Sequence, residues 1–426
     1  MRLIKLQFLS LGAWATWTGL AAGRPVKGQE DGKHWVATWT ATTQEVEIHN
    51  LPPTPFGGGG ADFQFENATL RQTFRVSIGA ERFRVQVSNL FGQTDLPITA
   101  ASLAFPEHGH AGAGGINTST IRGLTFNGSE SIIIPPEGIV YSDPIDFKIL
   151  PLTNVALSIY SEEGQAKDKI TGHPGSRTTS WMGKGNKVNA SSIAEASTVH
   201  WYFASAIEAL VPKHNSGLVI LGDSITDGRG SDDNKNNRWP DALVERLYSS
   251  NLTNIAVNNQ AAGGNAVLRG GLGPPLLERY HRDAIEQSGV KYVIIFEGVN
   301  DIGPSNTDEG TQQELFNNLI DAYSQIVADC RDAGLVTIGA TITPFSGSEY
   351  ADPSREVTRV KINDWISTSD TFDHAVDFAA FIGDGDKLKP EYDSGDHLHP
   401  NVAAYRELAR RFDTNIFRAQ KPRSEK

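Results

Sequence analysis

The chain has 426 residues, too many for one ordinary domain and a natural length for two. Its composition, 39% hydrophobic and 21% charged, belongs to a folded globular protein rather than a disordered one. A formal net charge of −12 argues against the basic patches that nucleic acid or an anionic membrane requires, so neither is expected as a partner.

At the N-terminus, Arg2 and Lys5 flank the start of a largely apolar run from Leu6 to Ala22. Leu20-Ala21-Ala22-Gly23 then supplies small residues before Arg24-Pro25. This is the pattern of a signal peptide over residues 1–23 and predicts a secreted, extracellular protein. The run is short for a membrane anchor and is broken by Ser, Gly and Thr, so no stable membrane insertion is expected. Cys330 is the only cysteine, which excludes an intrachain disulfide and leaves stability to the core. It falls in the helical run Ile326 to Cys330, as a buried, inert thiol. Asn-x-Ser/Thr triplets begin at Asn67, Asn117, Asn127, Asn189 and Asn251 and would be glycosylation acceptors in a secretory pathway that uses them.

Residues 34–205 read as β. Thr69 to Ile78 alternates and ends at Gly79, and Arg82 to Ser88 alternates again before Asn89-Leu90-Phe91-Gly92. Short runs follow at Ile132 to Ile134 and Val155 to Tyr160, with glycine-rich loops at 57–60 and 111–115. The spacing predicts an antiparallel β-sandwich, jelly-roll-like, as an accessory domain. Trp35, Trp39 and Trp181 are candidates for stacking on sugars, with core packing the simpler role for each.

From residue 216 the texture changes. Strands are expected at 218–221, 255–258, 292–296, 337–342 and 375–378, and helices at 239–249, 275–287, 311–333, 354–368 and 401–416. The alternation predicts an α/β domain with a parallel sheet covered on both faces. In the last helix Tyr405, Leu408, Ala409, Phe412 and Ile416 lie on one face. Residues 419–426 form a polar tail.

Four blocks in this half carry candidate chemistry. Gly222-Asp223-Ser224 follows the apolar run Leu218 to Leu221, which places Ser224 where ligands bind in an open α/β sheet. There is no Gly-x-Ser-x-Gly, so the α/β-hydrolase elbow is excluded. Ala262-Gly263-Gly264-Asn265 follows the second strand, and a glycine there lets backbone N–H groups approach a ligand. Asn300, in Glu297-Gly298-Val299-Asn300-Asp301, offers an uncharged donor at the end of the third strand. Asp396-His397-Leu398-His399-Pro400 supplies a base, His399, and a carboxylate three residues away that can fold back on its ring. Pro400 suits a first helical position, so His399 is expected at the entry of the last helix. A metal reading of His397 and His399 lacks further ligands to complete a site, and His397 reads as a loop residue. The Arg229 to Arg238 insert, rich in Asp and Asn, reads as a solvated loop.

Taken in order, Gly222-Asp223-Ser224, Gly264-Asn265, Gly298-Val299-Asn300-Asp301 and Asp396-x-x-His399 resemble the SGNH (GDSL-type) hydrolase superfamily over residues 216–418. The resemblance implies a three-layer αβα, flavodoxin-like fold and a serine esterase without a cofactor. It casts Ser224 as nucleophile, His399 as base and Asp396 as its support. The oxyanion hole would come from the Ser224 and Gly264 N–H groups and the Asn300 side chain. Gly263 competes with Gly264 for the second block, and Gly264 is chosen because Asn265 follows it. Ile225 stands where the GDSL pattern has Leu.

The expected activity is hydrolysis of short acyl esters, acetyl esters above all, on a small ester or an acylated polysaccharide. Two alternatives stay open. An extracellular lipase or phospholipase would call for a long apolar lid, which the sequence lacks. A carbohydrate-binding protein with an inactive esterase domain would not need the full set of catalytic residue types.

Overall fold

The computed structural model describes residues 32–418. The signal peptide expected over 1–23 and the polar tail 419–426 lie outside these residues. Two kinds of sheet divide the chain at about residue 213, yet residues 32 onward pack as one compact unit.

The N-terminal half is built from antiparallel strands. They are β1 (Lys33–Thr40), β2 (Ala68–Arg75), β3 (Ala80–Ser88), β4 (Ala100–Ala104), β5 (Arg122–Gly123), β6 (Ile139–Tyr141), β7 (Ile145–Ile149), β8 (Asn154–Ser161), β9 (Ser180–Lys184), β10 (Ala196–Thr198) and β11 (Ala204–Pro212). One sheet runs β1-β11-β3-β6, with β7 also on β3, and the other runs β10-β9-β2-β8-β4-β5. Alternation does the sorting here. Phe83, Val85 and Val87 of β3 point to the same core as Leu70 and Phe74 of β2 and Val155, Leu157 and Ile159 of β8. Trp39 belongs to that core, packed on Phe74 and edge-on to Trp201, so it is not available to a sugar. Trp35 and Trp181 are half-buried: Trp35 lies under the Arg84 guanidinium, and Trp181 donates its indole N–H to the Gly112 carbonyl.

The second half holds β12 (Ser216–Gly222), α1 (Ser224–Asp227), α2 (Trp239–Ser249), β13 (Ile255–Ala261), α3 (Leu276–Tyr280), β14 (Val290–Phe296), α4 (Val299–Ile302), α5 (Glu309–Asp332), β15 (Val336–Ala340), α6 (Pro353–Thr368), β16 (His374–Val376), α7 (Phe378–Ile382) and α8 (Val402–Arg411). The strands form one parallel sheet in the order β13-β12-β14-β15-β16. That is the flavodoxin-like order, whose switch point lies between β12 and β14. The strands are buried on both faces and read as continuous apolar runs such as Leu218 to Leu221. Asp308, Asp352 and Asn401 cap α5, α6 and α8 by accepting from backbone N–H groups of the first turn. Cys330 is fully buried inside α5, and burial pushes its thiol up to about 12.

Several local expectations change, and the helix expected over 401–416 ends at Arg411, with Thr414–Phe417 forming a separate 3-10 turn. The run ending at Phe378 is a strand only to Val376, because the Asp377 carboxylate caps a new helix at Ala380 N–H. The helix expected over 275–287 breaks after Tyr280 into a π-turn, His281–Ile285. Pro400 precedes the last helix rather than opening it, since Asn401 is the cap.

The halves meet edge to edge. β1 and β13 are the edge strands of their sheets, and an uncovered edge exposes unpaired backbone groups. Here each edge is satisfied by the other half. Asn258 donates to the Ala37 carbonyl at 2.9 Å, Ser77 Oγ accepts from Val257 N–H at 3.1 Å, and Ala37 N–H donates to the Ser288 carbonyl at 2.9 Å. Deeper in the seam, His173 Nδ1 lies 2.9 Å from the Thr42 carbonyl and Nε2 lies 2.9 Å from Asp227 Oδ1, both side chains being buried. A carbonyl can only accept, so Nδ1 donates to Thr42 and Nε2 faces the carboxylate. Gly175 passes so close to Asp227 that a Cβ there would collide with the carboxylate. The 229–238 insert is a strap rather than a solvated loop. Asn234 bonds Thr179 and the Arg177 carbonyl, Asn236 bonds Asn154, and buried Arg238 donates to the Ser176 carbonyl.

His173→Phe keeps ring volume but leaves Asp227 buried without its partner. Breaking one side of a buried pair costs about 3–5 kcal/mol. Urea unfolding followed by tryptophan fluorescence should show a loss of that size, and a loss below about 1 kcal/mol would mean that the pair does not pin the seam.

Candidate active site

The candidate residues converge on one cleft of about 760 Å³. Ser224, Gly263, Gly264, Asn300, Asp396 and His399 all line it. They arrive from the C-terminal ends of β12, β13 and β14 and from the segment before α8. The β half contributes one side of the wall, with Gln44, Glu47, His49, Asn50, Arg177 and His200, and Arg229, Leu272 and Tyr350 of the α/β half also line it. Nothing local in the sequence marked these residues as part of a site.

Ser224 is the first residue of α1, held there by Asp223, whose carboxylate accepts from Ile225 N–H at 2.9 Å. Gly222 permits the sharp turn, because a Cβ there would lie 2.6 Å from Thr226 Oγ1 and 3.0 Å from the Phe296 carbonyl. Ser224 Oγ lies 2.8 Å from His399 Nε2. His399 Nδ1 lies 2.7 Å from Asp396 Oδ2, and the other carboxylate oxygen accepts from the backbone N–H groups of His399 and Leu398. The Asp-x-x-His spacing thus folds the carboxylate onto both the ring and the backbone of the histidine it orients.

The electrostatics suit a base. Burial lowers the His399 pKa from its ordinary value, the charges of Arg229 and Arg177 add to this, and the contacts with Asp396 oppose it. The ring is neutral at neutral pH, with Nδ1 protonated toward Asp396 and Nε2 free to accept from Ser224. Burial pushes the Asp396 carboxyl upward, but hydrogen bonds from the His399 backbone and ring, with the charge of the ring, bring it down to about 2. His397 turns away from this chain of contacts: its Nδ1 meets Asp393 Oδ2 at 2.6 Å, and it is exposed, as a loop residue.

Gly264 has φ +72°, a left-handed conformation that favours glycine, and this turns its N–H away from the regular sheet ladder. Among the described residues no backbone acceptor bonds the N–H of either Ser224 or Gly264. Asn300 sits in α4. One Nδ2 proton goes to the Asn265 carbonyl at 2.8 Å, and Oδ1 accepts from Tyr350 OH at 3.0 Å. An amide nitrogen carries two protons, so one is left for the cleft. Three donors beside a hydroxyl bonded to an imidazole can activate that hydroxyl and stabilise the oxyanion formed when it adds to a carbonyl.

Beneath the cleft lies Arg279, which sequence reasoning passed over. It is fully buried, and Nε donates to Asn265 Oδ1, Nη1 to the Gln260 carbonyl and Asp283, and Nη2 to the Gly222 carbonyl and Glu297. Burial raises Glu297 to about 8, with Asp223 and Asp301 adding to the rise and Arg279 opposing it. Burial likewise raises Asp223 to about 7 and Asp301 to about 6. The Asp283 spacing, four residues on, was the available hint. Arg279→Lys keeps the charge but cannot reach five acceptors. It should lower the urea midpoint by an amount worth about 2–3 kcal/mol, since bonds to charged groups are worth about 1.5–3 each. An unchanged midpoint would show that the fork is dispensable.

Among the described residues no helix is long and apolar enough to cross a membrane. Comparison with known proteins gives one family: residues 220–407 match the GDSL-like Lipase/Acylhydrolase family. No curated protein matches the chain. Among solved structures, an acetylxylan esterase from Geobacillus stearothermophilus is similar at 24% identity, covering 46% of this chain and 93% of that one, with a TM-score of 0.36. A GDSL-like lipase from Bacteroides thetaiotaomicron is similar at 16% identity, covering 46% and 84%, with a TM-score of 0.33. Residues 220–407 therefore form a GDSL-like lipase/acylhydrolase domain, and the chain is a carboxylic ester hydrolase.

Proposed function

We propose that the chain is a secreted serine esterase that removes short acyl groups, acetyl above all, from a hydroxyl-rich alcohol such as a carbohydrate. The observation that carries the reading is the unbroken chain of contacts from Ser224 Oγ through His399 to Asp396 at the head of the cleft. Ser224 Oγ attacks the ester carbonyl while His399 Nε2 takes its proton. The N–H groups of Ser224 and Gly264 and the Asn300 amide stabilise the oxyanion. Collapse breaks the carbonyl–alkoxy bond, and the imidazolium protonates the leaving alcohol. Water, deprotonated by His399, then attacks the acyl-enzyme and frees the acid and Ser224.

The surroundings favour a polar alcohol. The β-half wall presents Gln44, Glu47, His49, Asn50 and Arg177, a surface unlike the apolar lining of a lipid site. The wider organisation in this reading is a signal peptide at 1–23, an accessory domain at 34–205 and a catalytic domain at 216–418. The accessory domain reads as jelly-roll-like. Its support is the strand order, in which β2 and β3, joined by a short turn, lie in opposite sheets and β11 returns beside β1. Secretion is supported by the basic start and apolar run of residues 2–22.

A fluorophosphonate should label Ser224 alone. Ser224→Ala should abolish both labelling and hydrolysis of 4-nitrophenyl acetate while leaving the melting curve in place. Label at another serine, or residual turnover near wild type, would defeat the assignment.

The pH dependence follows from His399. Only the neutral ring accepts the Ser224 proton, and its pKa is lowered, so activity should persist to lower pH than an ordinary histidine allows. The acid limb of kcat/KM should fall with unit slope and a midpoint below about 6.5. In Asp396→Asn the contacts that raise the ring's pKa are lost, so the midpoint should move further down as the rate falls. A midpoint above that of a free histidine would contradict the electrostatics described here.

A further inference from the structure

We propose that Glu47 and His200, both from the β half, form the subsite for the alcohol portion of the ester and select vicinal hydroxyls of a polyol. The proposal rests on the esterase reading of Ser224 and adds to it the residues that choose the alcohol.

Glu47 is fixed from two sides. Gln44 Nε2 donates to Oε1 at 2.7 Å, and Asn50 Nδ2 donates to Oε2 at 3.0 Å. Asn50 is itself anchored, its N–H bonding the Glu47 carbonyl at 2.8 Å and its carbonyl accepting from the buried Tyr202 hydroxyl at 2.7 Å. The carboxylate is therefore held in one orientation on the wall of the cleft. Each of its oxygens has two acceptor positions and uses one internally, so one remains on each.

His200 is fixed in the same way. Its Nδ1 lies 2.7 Å from the Pro174 carbonyl, which can only accept, so that nitrogen carries the proton. Burial lowers the ring's pKa, and at neutral pH Nε2 is an unprotonated acceptor. The ring lines the same cleft as Glu47 and Ser224.

The wall thus offers three acceptor positions on two immobilised side chains. Neighbouring hydroxyls on a sugar ring or on glycerol are matched donors, and bonds from hydroxyls to a carboxylate are charge-assisted. A simple alkyl alcohol would cover Glu47 and strip it of water while offering it no donor, and a carboxylate left unpaired in this way costs binding. An anionic alcohol would meet the carboxylate as a like charge. None of the three tryptophans marked in the sequence lines this cleft.

The test is a ratio. kcat/KM is measured for a methyl mono-O-acetyl xylopyranoside and for ethyl acetate, which share the acyl group and differ in the alcohol. Wild type should favour the sugar ester, and in Glu47→Gln the ratio should fall about tenfold, mainly through KM of the sugar ester. His200→Gln provides a second variant and should move the ratio in the same direction. A structural role for either residue would lower both rates and leave the ratio intact. An unchanged ratio in both variants, or a wild type that favours ethyl acetate, overturns the subsite while leaving the Ser224 reading standing. A wild type that hydrolyses neither ester overturns the esterase reading and the subsite with it.

Discussion

Arg279 spends all five of its N–H groups on acceptors drawn from separate segments, and it does so without solvent contact. Two of those acceptors are carbonyls at the ends of β12 and β13, and a third is the Glu297 carboxylate just beyond β14. These are the strand ends from which Ser224, Gly264 and Asn300 depart. The guanidinium also holds Asn265, whose carbonyl in turn receives the Asn300 amide. The spacing of Ser224, Gly264 and Asn300 is thus tied to one rigid planar group rather than to three independent loops. Arg279 also works against the upward push that burial gives the Glu297 carboxyl, without cancelling it.

A second constraint runs through the seam between the sheets. The turn that bears Ser224 ends in Asp227, which is bonded to His173 of the β half and crowded by Gly175. The strap over 229–238 returns to the β half a few residues later, and the Tyr405 hydroxyl from α8 bonds the Arg229 carbonyl. Ser224 therefore stands on a turn braced by both halves, and the cleft in front of it has walls from both. The β half is part of the site's frame as well as its rim.

Much of the α/β half was legible because its chemistry sits in short contiguous blocks. An apolar run such as Leu218 to Leu221 fixes where a strand ends, and the residue that follows must lie at the mouth of the sheet. Ser224, Gly264 and Asn300 were found this way, and His399 with Asp396 was found from a spacing that closes on itself. The rest depends on contacts between distant segments. Glu47 and His200 lie far apart in the chain and share a cleft wall, where the Tyr202 hydroxyl bonds the Asn50 carbonyl and ties the two segments together. Arg279, with Glu278 before it and Arg282 three residues on, looks like any charged position on a surface helix until the strand ends gather round it. Trp39 fell on the buried side of an irregular strand whose last five residues are all buried, a pattern without alternation to read. Phe378 misled for the opposite reason: a short apolar run suits strand and helix alike, and one capping aspartate decided between them.

Ser224 and the His399 ring to which it is bonded are separated by 175 residues, with Ser224 the earlier. A chain made from its N-terminus yields the β-half wall of the cleft first, then the turn that carries Ser224, and the His399 imidazole only later. Domains fold largely in the order in which they emerge. Until His399 has been added and α8 has docked, Ser224 is an ordinary alcohol in a half-built cleft, chemically idle toward any ester it meets. In the proposed mechanism the order of the residues along the chain therefore keeps the base away from Ser224 until the segment that carries it has been made and has docked.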